Sequence, residues 1–248
     1  MTKKLLIYSL FLIFFTFYGQ EINQFDDKGN RHGLWKGYYE ETKHLKYEGE
    51  FKNGKEIGAF VFYDNTKKKE IIAKRVFNTK GEAYTTFFKG KFKVSEGLVV
   101  DKKNEGLWIT YHKDSDIPMM KENYKNGLLH GEKKVYYHDG DIVEESNYEN
   151  GKRQGVYKKY ALSGKVIEEL NYKNDKIHGD AIYRDYQGNV TIEGQYKNNL
   201  SSGIWKYYKN GKLERTEDKD AQKKARKAGE NSPANAVQQP LKQKPTQN

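Results

Sequence analysis

The chain of 248 residues predicts an all-β fold: an elongated array of antiparallel β-hairpins, with a period of about 24 residues. Three observations carry this. A phrase of the form aromatic-Lys/Glu-Asn-Gly-x-x-x-Gly runs from Phe51 to Gly58, Tyr124 to Gly131 and Tyr148 to Gly155, and weakens at Tyr172 to Gly179 and Tyr196 to Gly203. The closing glycines Gly106, Gly131, Gly155, Gly179 and Gly203 are spaced by 25, 24, 24 and 24 residues, and Gly33, Gly58 and Gly106 by 25 and 48. Composition is the third: 35% hydrophobic, 32% charged and 20 Tyr is too polar for a thick core and too aromatic for a disordered chain. Thin, half-wet strands fit both limits.

From the N-terminus, Lys3-Lys4 precedes an apolar run from Leu5 to Tyr18 and then Gly19-Gln20. The run is shorter than the roughly 20 residues a spanning helix needs, so residues 1–19 read as a signal peptide for export to the periplasm, outer membrane or medium. Phe17 is bulkier than a cleavage site prefers, and an uncleaved N-terminal membrane anchor is the alternative. Residues 20–213 form the array. Within each unit Asn-Gly marks a tight hairpin, because both central residues of a type I′ turn need positive φ. Gly54, Gly127 and Gly151 fill this place, with Asp175 and Asn199 later, and Gly58, Gly106, Gly131, Gly155, Gly179 and Gly203 close the phrase. A second turn keeps Gly140, Gly164, Gly188 and Gly211. Two turns and two short strands per unit make a meander. The pattern decays at 65–105, where spacing admits one degenerate unit. Glu48, Glu96, Glu145, Glu169 and Glu193 recur in register among lysines, as cross-strand charge pairing requires. From Glu214 the aromatic signal stops, and 214–248 reads as a disordered charged and polar tail with room for one short helix.

The phrases Tyr124-Lys-Asn-Gly-Leu-Leu-His-Gly, Tyr148-Glu-Asn-Gly-Lys-Arg-Gln-Gly and Gly203-Ile-Trp-Lys-Tyr-Tyr-Lys-Asn-Gly-Lys-Leu resemble the variant MORN repeat of bacterial proteins, including those labelled YwqK-like antitoxins. The resemblance covers roughly Phe25 to Leu213 and implies serial β-hairpins. For function it implies membrane-lipid contact, scaffolding or protein partners, and it supplies no catalytic motif.

The aromatics Trp35, Phe60, Trp108, Tyr157 and Trp205 lie two residues after a repeat glycine, and Tyr38, Tyr63, Tyr111, Tyr160 and Tyr208 five after. An odd separation puts the two sets on opposite faces of a strand. The first set reads as packing; the second reads equally as packing or as an exposed Tyr ladder able to bind glycan, peptide or protein. His32, His130 and His178 precede repeat glycines, but Gln154 and Ser202 interrupt them, so no metal ladder is predicted. There is no cysteine, and no nucleophile elbow, P-loop or Rossmann glycine pattern. Neither a catalytic residue nor a metal or cofactor is therefore assigned. The charge of +11, or +9 once Lys3 and Lys4 leave with the signal, favours an anionic partner. Lysines in register with glutamates argue against nucleic acid. The reading is an exported, non-enzymatic binding or scaffold surface in the cell envelope. Its partner is a protein or an anionic lipid or polysaccharide, and end-to-end oligomers are allowed. An antitoxin or immunity protein is the first alternative and a polysaccharide-binding accessory module the second.

Overall fold

The computed structural model describes residues 21–228, so the expected signal peptide lies outside the described residues, as do the last 20 positions of the expected tail. The chain divides into two units, meeting at Lys102 and Lys103. In the first, β1 (Gln24–Phe25), β2 (Arg31–Tyr38), β3 (Leu45–Lys52), β4 (Lys55–Tyr63), β5 (Ile71–Phe77), β6 (Ala83–Lys89) and β7 (Phe92–Val100) pair in succession, all antiparallel. The second continues with β8 (Lys103–Tyr111), β9 (Pro118–Lys125), β10 (Leu128–Tyr136), β11 (Ile142–Glu149), β12 (Lys152–Arg153) and β13 (Gly155–Tyr160). Then come β14 (Val166–Lys173), β15 (Lys176–Arg184), β16 (Val190–Lys197), β17 (Leu200–Lys209), β18 (Lys212–Asp218) and helix α1 (Lys219–Lys227). Here too each strand pairs antiparallel with the next, except that β12 and β13 both pair with β11. The hairpin meander read from the sequence is the observed fold of each unit.

The tight turns explain how hairpins join. Asn150 and Gly151 both take positive φ, 50° and 82°, and in the turn between β16 and β17 Asn198 and Asn199 take 52° and 69°. That conformation frees the second N–H to reach the preceding unit: Gly54 donates to Arg31 O at 3.0 Å, Gly151 to Leu129 O at 2.8 Å and Asn199 to Ile177 O at 2.9 Å. The first turn N–H is held by the residue before the preceding repeat glycine. Asn126 N donates to Glu105 Oε2 at 2.7 Å, Asn150 N to His130 Nδ1 at 3.5 Å and Asn174 N to Gln154 Oε1 at 3.1 Å. One role, an acceptor, thus accounts for His, Glu and Gln alternating at that place.

Two irregularities recur. Beside the repeat glycine the ladder gains residues, and an Asn on the facing strand spans the gap: Asn123 Nδ2 donates to Glu132 O at 2.8 Å and Asn171 Nδ2 to Asp180 O at 3.0 Å. In every return strand one residue is left opposite nothing, at Lys46, Ile72, Val94, Met119, Val143, Ile167, Thr191 and Glu214. Such a bulge interrupts alternation and adds twist. In the degenerate stretch the connections are redistributed: five residues join β5 to β6, and only Gly90-Lys91 joins β6 to β7.

The tail expectation needs correction between Glu214 and Asp218, which are strand; α1 is the short helix that reading left room for. Strand β18 pairs with β17 along its length, and α1 follows it. Asp218 caps the helix, its Oδ1 accepting from Asp220 N and Ala221 N, both at 2.9 Å. Asp220 Oδ2 accepts from Gly203 N at 3.0 Å, and Lys223 Nζ donates to Ser201 O. Arg215 lies 3.9 Å over the Tyr207 ring. Apolar stems of charged side chains cover the last aromatic, so a hydropathy signal could not reveal the strand. At the other terminus Asn23 stands in for a strand: its amide accepts from Lys36 N at 2.7 Å and donates to Lys36 O at 3.1 Å. Both devices occupy edge positions that end-to-end pairing would use.

Candidate functional site

One face of the meander is aromatic. In the first unit Phe60 is fully buried, with Phe51 edge-on at 5.2 Å and Phe77 at 5.9 Å. In the second, Leu170, Ala181, Trp205 and Tyr207 form the core, with Tyr157, Tyr172, Tyr183 and Tyr196 against it. The Trp/Phe set therefore packs. Between Trp108 and this cluster, the same stripe turns polar. Lys133 pairs with Glu122 at 2.9 Å, and Tyr124 donates to Glu122 Oε2 at 3.1 Å; burial and that carboxylate push the Tyr124 hydroxyl up to about 12. Tyr157 donates to Glu144 Oε2 at 2.9 Å, and Lys159 stands in register with both Glu144 and Glu168.

Glu168 carries a consequence. Burial raises its carboxyl above the usual 4.5, Lys159 opposing and Glu144 adding to the shift. The folded carboxyl holds its proton more readily than the unfolded one, so its contribution to stability is whole below the unfolded value and lost as pH rises through the folded value. Glu168→Gln is expected to raise the melting temperature at pH 7 and to leave it unchanged at pH 4. A variant less stable than the parent at pH 7 would show that Lys159 outweighs burial.

The opposite face is charged, and it is where the Tyr ladder lies. Tyr38 is exposed, whereas Tyr63, Tyr111, Tyr160 and Tyr208 are half-buried. Tyr63 donates to Glu48, Tyr160 to Glu145 at 2.6 Å and Tyr208 to Glu193 at 2.8 Å, each carboxylate 15 residues upstream. Where the unit has Arg184 instead, that side chain meets Glu169 at 3.2 Å. Where it has Lys121 in place of the carboxylate, the ammonium lies 5.3 Å over the Tyr136 ring. Lysines complete the set: Lys206 reaches Glu193 at 2.9 Å, Lys36 reaches Glu48 at 3.7 Å and Lys158 reaches Glu145 at 3.9 Å. Burial and Glu48 push Tyr63 up to about 12, and the Lys206 and Tyr208 hydrogen bonds lower Glu193. The hydroxyls of Tyr63, Tyr160 and Tyr208 thus tie one strand to the next, while Tyr38 is exposed.

The turn glycines Gly54, Gly58, Gly106, Gly127, Gly131, Gly151, Gly155, Gly179 and Gly203 all have positive φ and serve the backbone rather than a ligand. Of the histidines, His112 and His138 stack at 3.8 Å, and His112 Nε2 lies 3.1 Å from Tyr136 O. Among the described residues no three metal-ligating side chains converge. An open depression of about 320 Å³ on the charged face of the first unit, lined by Leu34, Lys36, Glu48 and Val61, offers little enclosure.

The free charge is at the hairpin tips. In the second unit Lys125, Lys152, Lys173, Lys176 and Lys197 flank the tight turns and are exposed. Lys173 and Lys176 stand directly opposite each other, as do Lys52 and Lys55 in the first unit. Like charges so placed destabilise a hairpin. None of these lysines forms an ion pair among the described residues, unlike Lys36, Lys158 and Lys206 of the charged face. Successive turns are two strands apart, about 10 Å, so the tips make a lysine-rich ridge, with Glu149 opposite Lys152 and Asp175 in the turn between Lys173 and Lys176. The sequence reading did not single out the tips; the signal available was Lys beside the tight turn, on both sides of it at Lys52-Asn-Gly-Lys55 and Lys173-Asn-Asp-Lys176.

Residues 129–150 and 153–174 match the family model described as MORN repeat variant. These are two adjacent repeats, the ones holding Lys133, Glu144 and Glu168. No curated protein matches the chain. Among solved structures, a crystal structure of an S. aureus TarM mutant in complex with Fondaparinux, alpha-GlcNAc-glycerol and UDP is similar over 49% of this chain. The identity is 18% and the TM-score 0.22, and the match spans 19% of that chain.

Proposed function

We propose that the protein is an exported, non-enzymatic repeat module of the cell envelope that binds an anionic polymer along the lysine ridge of its hairpin tips. The observation that carries this is the pairing of like charges at Lys173 and Lys176. It opposes folding, whereas Lys36 and Lys206 of the charged face are neutralised by glutamates. A polyanion laid across the turns would relieve the repulsion, and lysines recurring from turn to turn suit a repeating anion better than one compact ligand. Carboxylates engaged by Lys133 and Tyr157 on the aromatic face and by Lys206 on the charged face favour structure over catalysis. The N-terminal Lys3-Lys4 and the apolar run after them support export.

Changing Lys125, Lys152, Lys173, Lys176 and Lys197 together to Gln is expected to weaken binding to an anionic polysaccharide by at least about tenfold at low salt. The parent should lose a similar factor when salt is raised. Changing Lys36, Lys158 and Lys206 to Gln should cost less than threefold, the contrast a ridge demands. Equal losses in both variants would reduce the effect to net charge. Fractionation of the native protein with intact-mass measurement tests export: a chain beginning at Gln20 outside the cytoplasm supports it, and a full-length cytosolic chain overturns it.

A further inference from the structure

Across the charged face of the second unit Leu107 faces Asn123, Val156 faces Asn171 and Ile204 faces Asp218, while the exposed Leu213, beside the β17–β18 turn, faces Tyr208. The degenerate stretch of the first unit is different. Ala59, Val76, Tyr84 and Leu98 stand side by side in register on β4, β5, β6 and β7, with no polar residue between them. Val76 is 54% and Tyr84 44% exposed, and Ile72 and Val94 on the same strands are 40% and 42% exposed. An uninterrupted apolar row across four strands, on a face that is elsewhere Glu, Lys and Asn, marks a docking surface.

We infer that this row binds an acidic amphipathic helix of a partner protein. Strand addition is excluded at the centre of the row, because β5 and β6 are each paired on both sides and present no free ladder edge. The partner must lay side chains onto the face, as a helix does on a sheet. Its charge follows from the surroundings: from Lys55 to Lys102 eleven Lys and Arg stand against six Asp and Glu. Lys74 lies in the next row of the same face, between Val61 and Thr86 and exposed. A second copy of the same patch would bring like charge to like, which disfavours self-association through it. The site is distinct from the lysine ridge, and either can fail without the other.

A photoreactive phenylalanine analogue at position 84 of the full chain, expressed in its native cells, tests the inference; the same analogue at position 204 is the control. The expected result is one dominant adduct with a partner segment bearing apolar residues at helical spacing and a net negative charge. That segment, as a peptide, should then bind the purified protein, and Val76→Glu with Tyr84→Glu should weaken it about tenfold or more. Ile204→Glu should change it less than twofold, and both variants must keep the parental far-UV spectrum. Should the double variant unfold, Val76→Thr with Tyr84→Thr takes its place with the same expected direction. Adducts with lipid, with a second copy of this chain, or no more adduct than at position 204, would overturn the inference.

Discussion

Replacing Lys133 by Ala is expected to lower the unfolding free energy by about 3 kcal/mol, the low end for breaking a buried ion pair. The pair is not a surface ornament. Glu122 is 9% exposed and lies in register between Trp108 and Lys133 on the aromatic stripe, where neighbouring repeats place Leu170, Ala181 and Trp205. Deleting the ammonium at 2.9 Å leaves a carboxylate that keeps only the Tyr124 hydroxyl. The low end applies because the Lys133 side chain retains 21% exposure, so water can partly replace it. Changing both Glu122 and Lys133 to Leu removes the desolvation cost together with the attraction, and should bring stability back to within about 1 kcal/mol of the parent. Urea melts of Glu122→Leu, Lys133→Leu and the double complete the cycle. A Lys133→Ala loss below about 0.5 kcal/mol would mean that Glu122 is solvated and that this part of the stripe is surface.

The same repeats show what a sequence can and cannot disclose. Glycine spacing and Asn-Gly turns depend on backbone geometry alone, which is local, and they located hairpins from Phe51 to Gly203. The odd offset between Trp205 and Tyr208 correctly separated two faces. It could not say that Tyr208 would bond Glu193, because that contact depends on the register of β16 against β17 and on its shift between Glu193 and Gln195, neither written in any short pattern. Strand β18 went unread because Arg215 and Lys219 cover Tyr207 with their stems, so the covering residues score as polar. The apolar row of β4 to β7 was hidden for the opposite reason. Val76 and Tyr84 lie in the stretch where the repeat phrase fails, and failure of a phrase looks like decay until register shows the residues side by side.

Gly49→Ala is expected to cost about 3 kcal/mol, the upper end for overpacking, although alanine is otherwise the smallest change a strand can suffer. A β-carbon on Gly49 would come closer than 3.0 Å to the Phe60 ring, which rests on the bare backbone there and is fully buried. Gly49 is not in the left-handed region, so the loss would come from packing alone. Trp205 sits in the same way on Gly194, where a β-carbon would also come within 3.0 Å of the indole. Elsewhere the paired positions divide the volume differently: Leu170 faces Ala181 directly, with 3% and 0% exposure. Summed size across the two strands, rather than either residue, is therefore what this layer holds constant. Changing Gly49 to Leu and Phe60 to Ala together would install the Leu170 and Ala181 arrangement in the first unit. It should recover more than half of the stability that the two single changes lose when added, as read from urea midpoints. Strict additivity of the two losses would show that Phe60 moves away from Gly49 freely and that the ring has no fixed seat.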